Sequence, residues 1–311
     1  MKTFLCSNYI KRDYLRRLEF VNKKVSRYTR LKDISKFGFD IDWDDLKVKR
    51  VIFAGVGGIG SLAAEMLARC GVGTLDLIDI DTVSIKNLNR LFFRVEDIDK
   101  PKVEVAKQKL SKINEEVTIN VYHTDICALD FHEEFEQIIN DSDLLMMGLD
   151  NVAAREYVNT MCVTNNLTYI DSGASRSGLG GYVHRVIPYK TACYKCPGSL
   201  EIGKKMRDVE GEPCSASLPF TIAIIASLQV EQALKTLLPN LGTMPDYITY
   251  NGLQGRFYYF KQKMDPKCPV CGKKARKAHA EQEEDIIQIQ EIDPELLQMI
   301  DDLEKSNEPS E

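Results

Sequence analysis

The chain has 311 residues, of which 44% are hydrophobic and 28% charged, and its formal net charge is −5. This length suits one large domain with appendages or two small domains. No apolar run approaches the roughly 20 residues of a membrane span, and the first residues lack the apolar stretch of a signal peptide. We therefore expect a soluble, cytoplasmic protein with no membrane partner, whose nine cysteines are thiols or metal ligands.

Charge is distributed unevenly along the chain. A basic run extends over residues 2–36 and an acidic run over residues 281–311. One charged face is normal for a surface helix, so the basic run does not predict nucleic-acid binding. The pattern predicts a basic helical extension over residues 1–40, a main domain over residues 41–272 and a flexible acidic tail over residues 273–311.

The centre of the chain alternates short apolar runs with helical patterns. The first half predicts, in chain order, strand 48–55, helix 61–70, strand 74–81, helix 102–113, strand 117–123, helix 131–139 and strand 143–150. After Tyr169 come glycine-broken strands, a helix over 218–238 and a strand region over 247–260. This alternation predicts an α/β fold with a Rossmann-like doubly wound sheet, mostly parallel, with antiparallel strands in the C-terminal half.

A glycine-rich turn lies between the first predicted strand and helix, and its glycines are Gly55, Gly57, Gly58 and Gly60. Such glycines permit a tight turn and close approach of a phosphate, which the N-terminus of the next helix favours. Asp79, at the end of the second strand, can accept a hydrogen bond from a ribose hydroxyl. The motif predicts a nucleotide but leaves its identity open, because a nicotinamide dehydrogenase or a ligand-free tight turn has the same glycines.

Further polar side chains follow this turn, and the set comprises Asn89, Arg90, Lys102, Asp150, Asn151 and Arg155. Cations beside phosphates neutralise the charge that develops in phosphoryl or adenylyl transfer, and a carboxylate at a strand end can hold Mg²⁺. Each residue alone could be an ordinary surface side chain. Hydride transfer does not need such a set, so the whole order favours a reaction at a phosphate.

Two Cys-x-x-Cys pairs occur in the C-terminal half, and their members are Cys193, Cys196, Cys268 and Cys271. Four thiolates in such pairs fit tetrahedral Zn²⁺. A redox disulfide is the alternative, but neither pair opens a helix after a strand as a thioredoxin-like motif does. The spacing therefore predicts a closed, structural zinc knuckle.

Cys214 precedes the helix predicted over 218–238, with Ser217 as its N-cap and Pro219 in its first turn. The helix dipole would favour the thiolate, which is the nucleophilic form of cysteine. An isolated cysteine is also commonly a small buried hydrophobe. Position alone leaves both roles open.

Taken together, the segments GVGGIGS, IDIDTVSIKNLNRLFF, KPKVE and LDNVAAR resemble the ubiquitin-activating, E1-like superfamily that includes ThiF and MoeB, in its single-chain homodimeric form. The similarity runs from about Arg27 to Cys271. The segments EMLARCGVGTLDLIDID, NLNRLFF and CSASLP are most similar to the branch that activates ubiquitin-fold modifier 1.

The resemblance implies a role for each matching residue. It implies an ATP site formed by Gly58, Asp79, Lys102, Asp125 and Asn151, with Arg90 near the triphosphate and Asp150 near Mg²⁺. It also implies a structural zinc at the paired cysteines. Cys214 would accept the C-terminal glycine of a ubiquitin-like modifier from its adenylate as a thioester, for transfer to an E2-type conjugating enzyme.

Three alternatives remain at this point. A sulfur-carrier adenylyltransferase of the MoeB or ThiF type would share the ATP and zinc residues but need no thioester. A nicotinamide-dependent oxidoreductase would bind NAD(P), and a non-catalytic scaffold would bind a nucleotide for stability alone.

The tail contains a further segment of interest. Residues 284–293 place isoleucines among acids, with an alternation at Ile287 and Ile289 that suits an added edge strand. The segment resembles the modifier-binding segment of the same branch, although folding back onto the chain's own domain is the alternative. We predict that it binds the modifier by β-augmentation.

Overall fold

The computed structural model describes residues 26–196 and 218–280. In this part, eight strands form one sheet in the order β3-β2-β1-β4-β5-β6-β7-β8. The strands are β1 (Arg50–Ala54), β2 (Thr74–Ile78), β3 (Thr118–Tyr122), β4 (Leu144–Met147), β5 (Tyr169–Ala174), β6 (Gly180–Val186), β7 (Tyr247–Asn251) and β8 (Arg256–Phe260). Strands β1 to β5 pair in parallel, and β6, β7 and β8 pair antiparallel with their neighbours.

Helices cover both faces of the sheet. They are α1 (Gly58–Cys70), α2 (Lys102–Ile113), α3 (His132–Asn140), α4 (Val152–Thr164) and α5 (Pro219–Leu237). Side chains of β1 alternate between two hydrophobic clusters, because successive residues of a strand point to opposite faces. Phe53 packs in the cluster with α1, α2 and α5, and Ile52 in the cluster with α3 and α4. Of the described helices, none is long and apolar enough to cross a membrane.

The structure confirms the predicted α/β fold and the antiparallel strands of the C-terminal half. Helix α1 begins at Gly58, three residues before the predicted start, because the glycine-rich turn leads directly into it. The region 247–260 is a hairpin of β7 and β8 joined by a turn in which Gly255 has φ 61°. The N-cap of α5 is Leu218 and not Ser217, since Pro219 occupies the first helical position.

The described part of the N-terminal extension packs against the main domain. Thr29–Lys32 is helical and Asp33–Phe37 forms a 3-10 helix. Tyr28 is only 5% exposed, and its hydroxyl accepts a hydrogen bond from Asn114 Nδ2 at 2.8 Å. The predicted domain boundary after residue 40 stays a prediction. Residues 1–25 of the extension and residues 281–311 of the tail lie outside the described part.

Asn114 gives the first testable prediction. Its side chain is fully buried, and Nδ2 donates both to Tyr28 and to the Ala68 carbonyl at 2.7 Å. Asn114→Ala should lower the free energy of unfolding by about 1–3 kcal/mol because it leaves buried partners unpaired. Tyr28→Phe removes only one of these bonds and should cost about 0.5–1.5 kcal/mol. Urea unfolding measures both, and equal losses would contradict the contribution of the Ala68 bond.

Candidate functional site

The candidate site lies at the carboxyl edge of the parallel strands. Ala54 at the end of β1 pairs with Ile78 of β2 on one side and with Met147 of β4 on the other. From β1 the chain continues to β2 and β3 on one side of the sheet, and from β4 it continues to β5 on the other. Open α/β sheets bind ligands at the point between two such strands. Gly55 follows the first of these strands directly, and Asp150 follows β4 after two residues.

The glycine-rich turn requires glycine for two separate reasons. Gly55 has φ 93°, and a Cβ there would lie 2.9 Å from the Gly148 carbonyl oxygen. At Gly60 a Cβ would lie 2.1 Å from the Gly55 oxygen, so α1 starts in direct contact with the end of β1. The N-cap of α1 is Gly57, and no side chain caps the helix. Its first N–H groups therefore suit an anionic ligand such as a phosphate.

Asp79 connects this turn to β2. Its Oδ2 accepts a hydrogen bond from Val56 N at 2.7 Å, and its Oδ1 accepts one from Asp81 N at 2.8 Å. Burial raises the pKa of Asp79, while the Lys102 ammonium and the two N–H groups oppose that rise. Lys102 Nζ lies 3.7 Å from Asp79 and 2.5 Å from Asp81. A buried cation is thus held at the edge where the sequence predicts the nucleotide.

Arg90 supplies a second cation beside the turn. Its side chain packs so closely on α1 that a Cβ at Gly58 would lie 3.0 Å from Arg90 Cδ. A Cβ at Gly57 would lie 3.5 Å from one of its terminal nitrogens. Among the described residues, Arg90 Nε is buried and has no hydrogen-bond partner. An unpaired buried donor next to the helix N-terminus fits a phosphate, since buried polar groups otherwise find partners.

The remaining predicted residues are brought to the same edge but differ in what they contact. Asp150 is exposed. Asn151 caps α4 by accepting a hydrogen bond from Ala154 N at 2.7 Å. Asp125 is exposed after β3, where Oδ1 accepts a bond from Cys127 N at 3.0 Å. Asn89 is exposed one residue before Arg90.

Arg155 has a different environment from the nucleotide contact that the sequence suggests. It is 8% exposed, and its guanidinium forms an ion pair with Asp171. The same group donates to the Tyr182 hydroxyl at 2.7 Å, to the Ser172 carbonyl at 3.1 Å and to the Leu149 carbonyl. These four acceptors hold the guanidinium in the interior of the protein by hydrogen bonds.

Helix α5, which begins shortly after Cys214 in the chain, starts beside the turn. A Cβ at Gly58 would lie 3.2 Å from Ile222 Cγ2 in the first turns of α5. Farther along, the buried Gln229 donates to the Met147 and Ile170 carbonyls at 3.0 and 2.9 Å. Sequence reasoning missed Gln229, although a glutamine within an apolar helix is a signal for a buried polar contact. Residues 197–217, including Cys214, lie outside the described part.

The paired cysteines form one buried cluster. The Sγ atoms of Cys193 and Cys268 are 3.6 Å apart, and those of Cys196 and Cys271 are 3.5 Å apart. All four Sγ atoms lie within 4.8 Å of one another. Tetrahedral ligands at about 2.3 Å from Zn²⁺ would be roughly 3.8 Å apart, so the cluster fits a metal and is far too open for disulfides near 2.05 Å.

Local contacts favour a thiolate at one position of this cluster. Hydrogen bonds from the neighbouring thiols, first that of Cys193, lower the pKa of Cys196, whereas the hydrogen bonds of Cys193 to Cys196 and Cys271, together with burial, raise the pKa of Cys193. The Cys196 Sγ also accepts a bond from Asp265 N at 3.4 Å. A Cβ at Gly272 would lie 2.4 Å from the Cys268 carbonyl oxygen, so the second knuckle turn requires glycine there. A divalent metal would stabilise the thiolate form of all four sulfurs, because metal ligands are deprotonated on binding.

Comparison with known proteins decides the family. The model of the ThiF family matches residues 27–270. The chain belongs to the ThiF family. Ubiquitin-like modifier-activating enzyme 5 of Drosophila mojavensis is 35% identical over 273 residues, 84% of this chain and 68% of that protein. The protein of the same name from Gallus gallus is 35% identical over 298 residues, 89% of this chain and 75% of that protein.

Solved structures agree with this ThiF-family assignment. E. coli MccB, in a structure with ATP, is 26% identical with a TM-score of 0.62, covering 74% of this chain and 68% of that one. In a structure with AMPCPP and MccA, E. coli MccB gives a TM-score of 0.67 at 25% identity, covering 80% and 75%. The family assignment favours the E1-like interpretation over the nicotinamide oxidoreductase that the glycine-rich turn alone had left open.

The cysteine cluster generates the second prediction. Protein purified without chelator should contain about one Zn²⁺ per chain by elemental analysis, since four thiolates close the coordination shell. Strong chelators should lower the melting temperature, because metal affinity is coupled to folding. Cys196→Ser should lose the metal, whereas Cys127→Ser, at a cysteine outside the cluster, should keep it. Metal content well below one ion per chain would contradict the site.

Proposed function

We propose that the chain uses ATP to adenylate the C-terminal glycine of a ubiquitin-like modifier and then captures that glycine on Cys214. Membership of the ThiF family and relatives named as ubiquitin-like modifier-activating enzymes make the chain an ATP-dependent, E1-like enzyme. The choice of Cys214 as acceptor goes further and is argued from the position of α5.

The observation that carries this proposal is the contact between the start of α5 and the nucleotide turn. Ile222 lies against Gly58, at the N-terminus of α1. Cys214 precedes Leu218, the N-cap of α5, by four residues. Four residues of extended chain span at most about 14 Å. The short separation in sequence therefore allows the Cys214 thiol to reach the place where an adenylate would form.

The chain's own residues divide the adenylation between them. The first turn of α1 and Arg90 would bind and neutralise the phosphates, while Asp79 would hold the ribose. Lys102 would stabilise the charge that develops as the modifier's carboxylate attacks the α-phosphate and pyrophosphate leaves. The Cys214 thiolate would then attack the acyl carbon of the mixed anhydride and release AMP.

Two metals fit the residues present. The exposed carboxylate of Asp150 at the end of β4 would hold Mg²⁺, which supplies further neutralisation of the phosphate charge. The four buried cysteines would hold Zn²⁺ as a structural ion. Since all four coordination positions are filled by sulfur, this zinc would take no part in catalysis.

The proposed activity also implies which partners the protein has. We expect a modifier of the ubiquitin-fold modifier 1 type, as in the branch that the segments NLNRLFF and CSASLP resemble. An E2-type conjugating enzyme would receive the thioester, and the enzyme would act as a homodimer in the cytoplasm. Residues 284–293 would add a strand to the modifier and raise its local concentration at the ATP site.

The third prediction separates the two chemical steps. Cys214→Ala should keep modifier-dependent exchange of pyrophosphate into ATP but form no thiol-sensitive adduct with the modifier. Asp150→Ala should lower the exchange by about 100-fold or more and abolish the adduct, because the phosphate charge loses its cation. Radiolabelled pyrophosphate measures the exchange, and non-reducing gels measure the adduct.

Cys127→Ala is the matched control, since this thiol lies outside the metal cluster and should leave both signals unchanged. A thiol-sensitive adduct in Cys214→Ala would show that another cysteine is the acceptor.

The fourth prediction concerns the tail. Removing residues 281–311 should raise KM for the modifier by about tenfold or more, because tethered binding is lost, with ATP affinity nearly unchanged. Replacing Ile287 and Ile289 by alanine should reproduce part of this effect. Replacing Gln288 and Gln290, which would point to the opposite side if an added strand forms, should not. Unaltered dependence on the modifier in the truncated protein would refute the tail's role.

A further inference from the structure

The buried cluster around Arg155 lies directly beneath the loop that carries Asp150. Arg155 belongs to the first turns of α4, and the ion pair with Asp171 joins α4 to β5. The Tyr182 hydroxyl accepts from Arg155 and donates to Asp171 Oδ2 at 2.8 Å. Burial lowers the pKa of Arg155, but the Asp171 carboxylate together with Tyr182 and Tyr194 raises it by more, so the guanidinium stays charged.

One contact of this cluster reaches the site. A terminal nitrogen of Arg155 donates to the Leu149 carbonyl, which belongs to the peptide group that Leu149 shares with Asp150. A bond to this oxygen restrains the orientation of that peptide, because the planar peptide group makes the Asp150 N–H turn together with the Leu149 oxygen. Arg155 therefore constrains the backbone from which the Asp150 side chain extends.

Other contacts hold the same loop on both sides of this peptide. Gly148 N donates to the Ala54 carbonyl at 2.9 Å, and Asn151 Oδ1 accepts from Ala154 N at 2.7 Å. The carboxylate of Asp150, in contrast, is exposed and has no hydrogen bond or ion pair among the described residues. The loop thus has a fixed backbone and an acidic side chain that remains available to a cation.

We propose that Arg155 is a positioning residue: its planar guanidinium bridges Asp171 and the Leu149 carbonyl and so aims the Asp150 carboxylate at the metal of the MgATP complex. This role rests on the adenylation proposed above. It assigns Arg155 no contact with ATP. The fork geometry is essential to it, because a single ammonium cannot serve both acceptors in the same way.

Arg155→Lys tests whether the two-pronged geometry of the guanidinium is needed, because lysine keeps the positive charge opposite Asp171 but lacks that geometry. Mn²⁺ serves as the probe of the metal site, and its binding in the presence of a non-hydrolysable ATP analogue is followed by electron paramagnetic resonance. We expect Arg155→Lys to weaken Mn²⁺ binding by about tenfold or more, the typical effect of losing a residue that orients a metal ligand. The Mg²⁺ concentration for half-maximal pyrophosphate exchange should rise in parallel.

Tyr182→Phe is the matched control. It removes a hydroxyl that bonds Arg155 and Asp171 in the same cluster but leaves the bond to Leu149 in place. It should lower the melting temperature while changing Mn²⁺ affinity less than about twofold, since the metal ligand keeps its orientation. Equal Mn²⁺ affinities in Arg155→Lys and Tyr182→Phe would overturn the proposal, because a purely structural role predicts that result.

A second variant covers the case in which Arg155→Lys does not fold. The combination of Arg155→Met, Asp171→Leu and Tyr182→Phe replaces the buried polar cluster by apolar groups, an exchange that proteins often tolerate. It also removes the bond to Leu149. Weakened Mn²⁺ binding in this folded variant supports the proposal, and unchanged binding overturns it.

The experiment also separates this inference from the proposed function. Wild-type protein that catalyses no modifier-dependent pyrophosphate exchange would refute the proposed function and the positioning role together. Exchange that requires Asp150 but is indifferent to the Arg155 substitutions would refute the positioning role alone.

Discussion

The close approach of three backbone segments is the constraint on which the site depends. The first turn of α1 touches the end of β1 at Gly60 and Gly55, and Gly55 in turn touches Gly148 in the loop after β4. Any side chain at Gly60 or Gly55 would force these segments apart. Because they meet without intervening side chains, the start of α1 and the loop that carries Asp150 keep a fixed spacing. A phosphate at one and a cation at the other can then be bound together.

Buried polar side chains complete this arrangement where the sheet ends. Backbone groups at strand ends lose the regular ladder, so buried ones need other partners. Asp79 accepts from Val56 N beside the turn. Gln229 donates to carbonyls of β4 and β5, which ties the helix that follows Cys214 to the strand that precedes Asp150. The helix that follows Cys214 in the chain and the loop that carries Asp150 are thus both attached to β4.

Much of this architecture could be predicted from sequence because it depends on local patterns. The apolar periodicity gave the alternating strands and helices, and the glycine spacing gave the nucleotide turn. The two Cys-x-x-Cys pairs identified a cluster that the structure brings together. The direction of individual side chains was harder to predict from the sequence. Arg155 and Lys102 are both cations in the first turns of helices, yet Lys102 faces Asp79 and Asp81 whereas Arg155 faces Asp171 in the interior. That difference depends on packing between β5 and α4, which no local pattern encodes.

The cysteine cluster also changes how the chain is connected. Its two halves come from before residue 197 and after residue 267, and the intervening stretch includes Cys214, α5 and the β7–β8 hairpin. A metal bound by these sulfurs would close this stretch into a ring. A single backbone cut anywhere within it would then leave both fragments attached through the metal as well as through the sheet. The metal would hold a nicked enzyme together in the way that a disulfide does in secreted proteins.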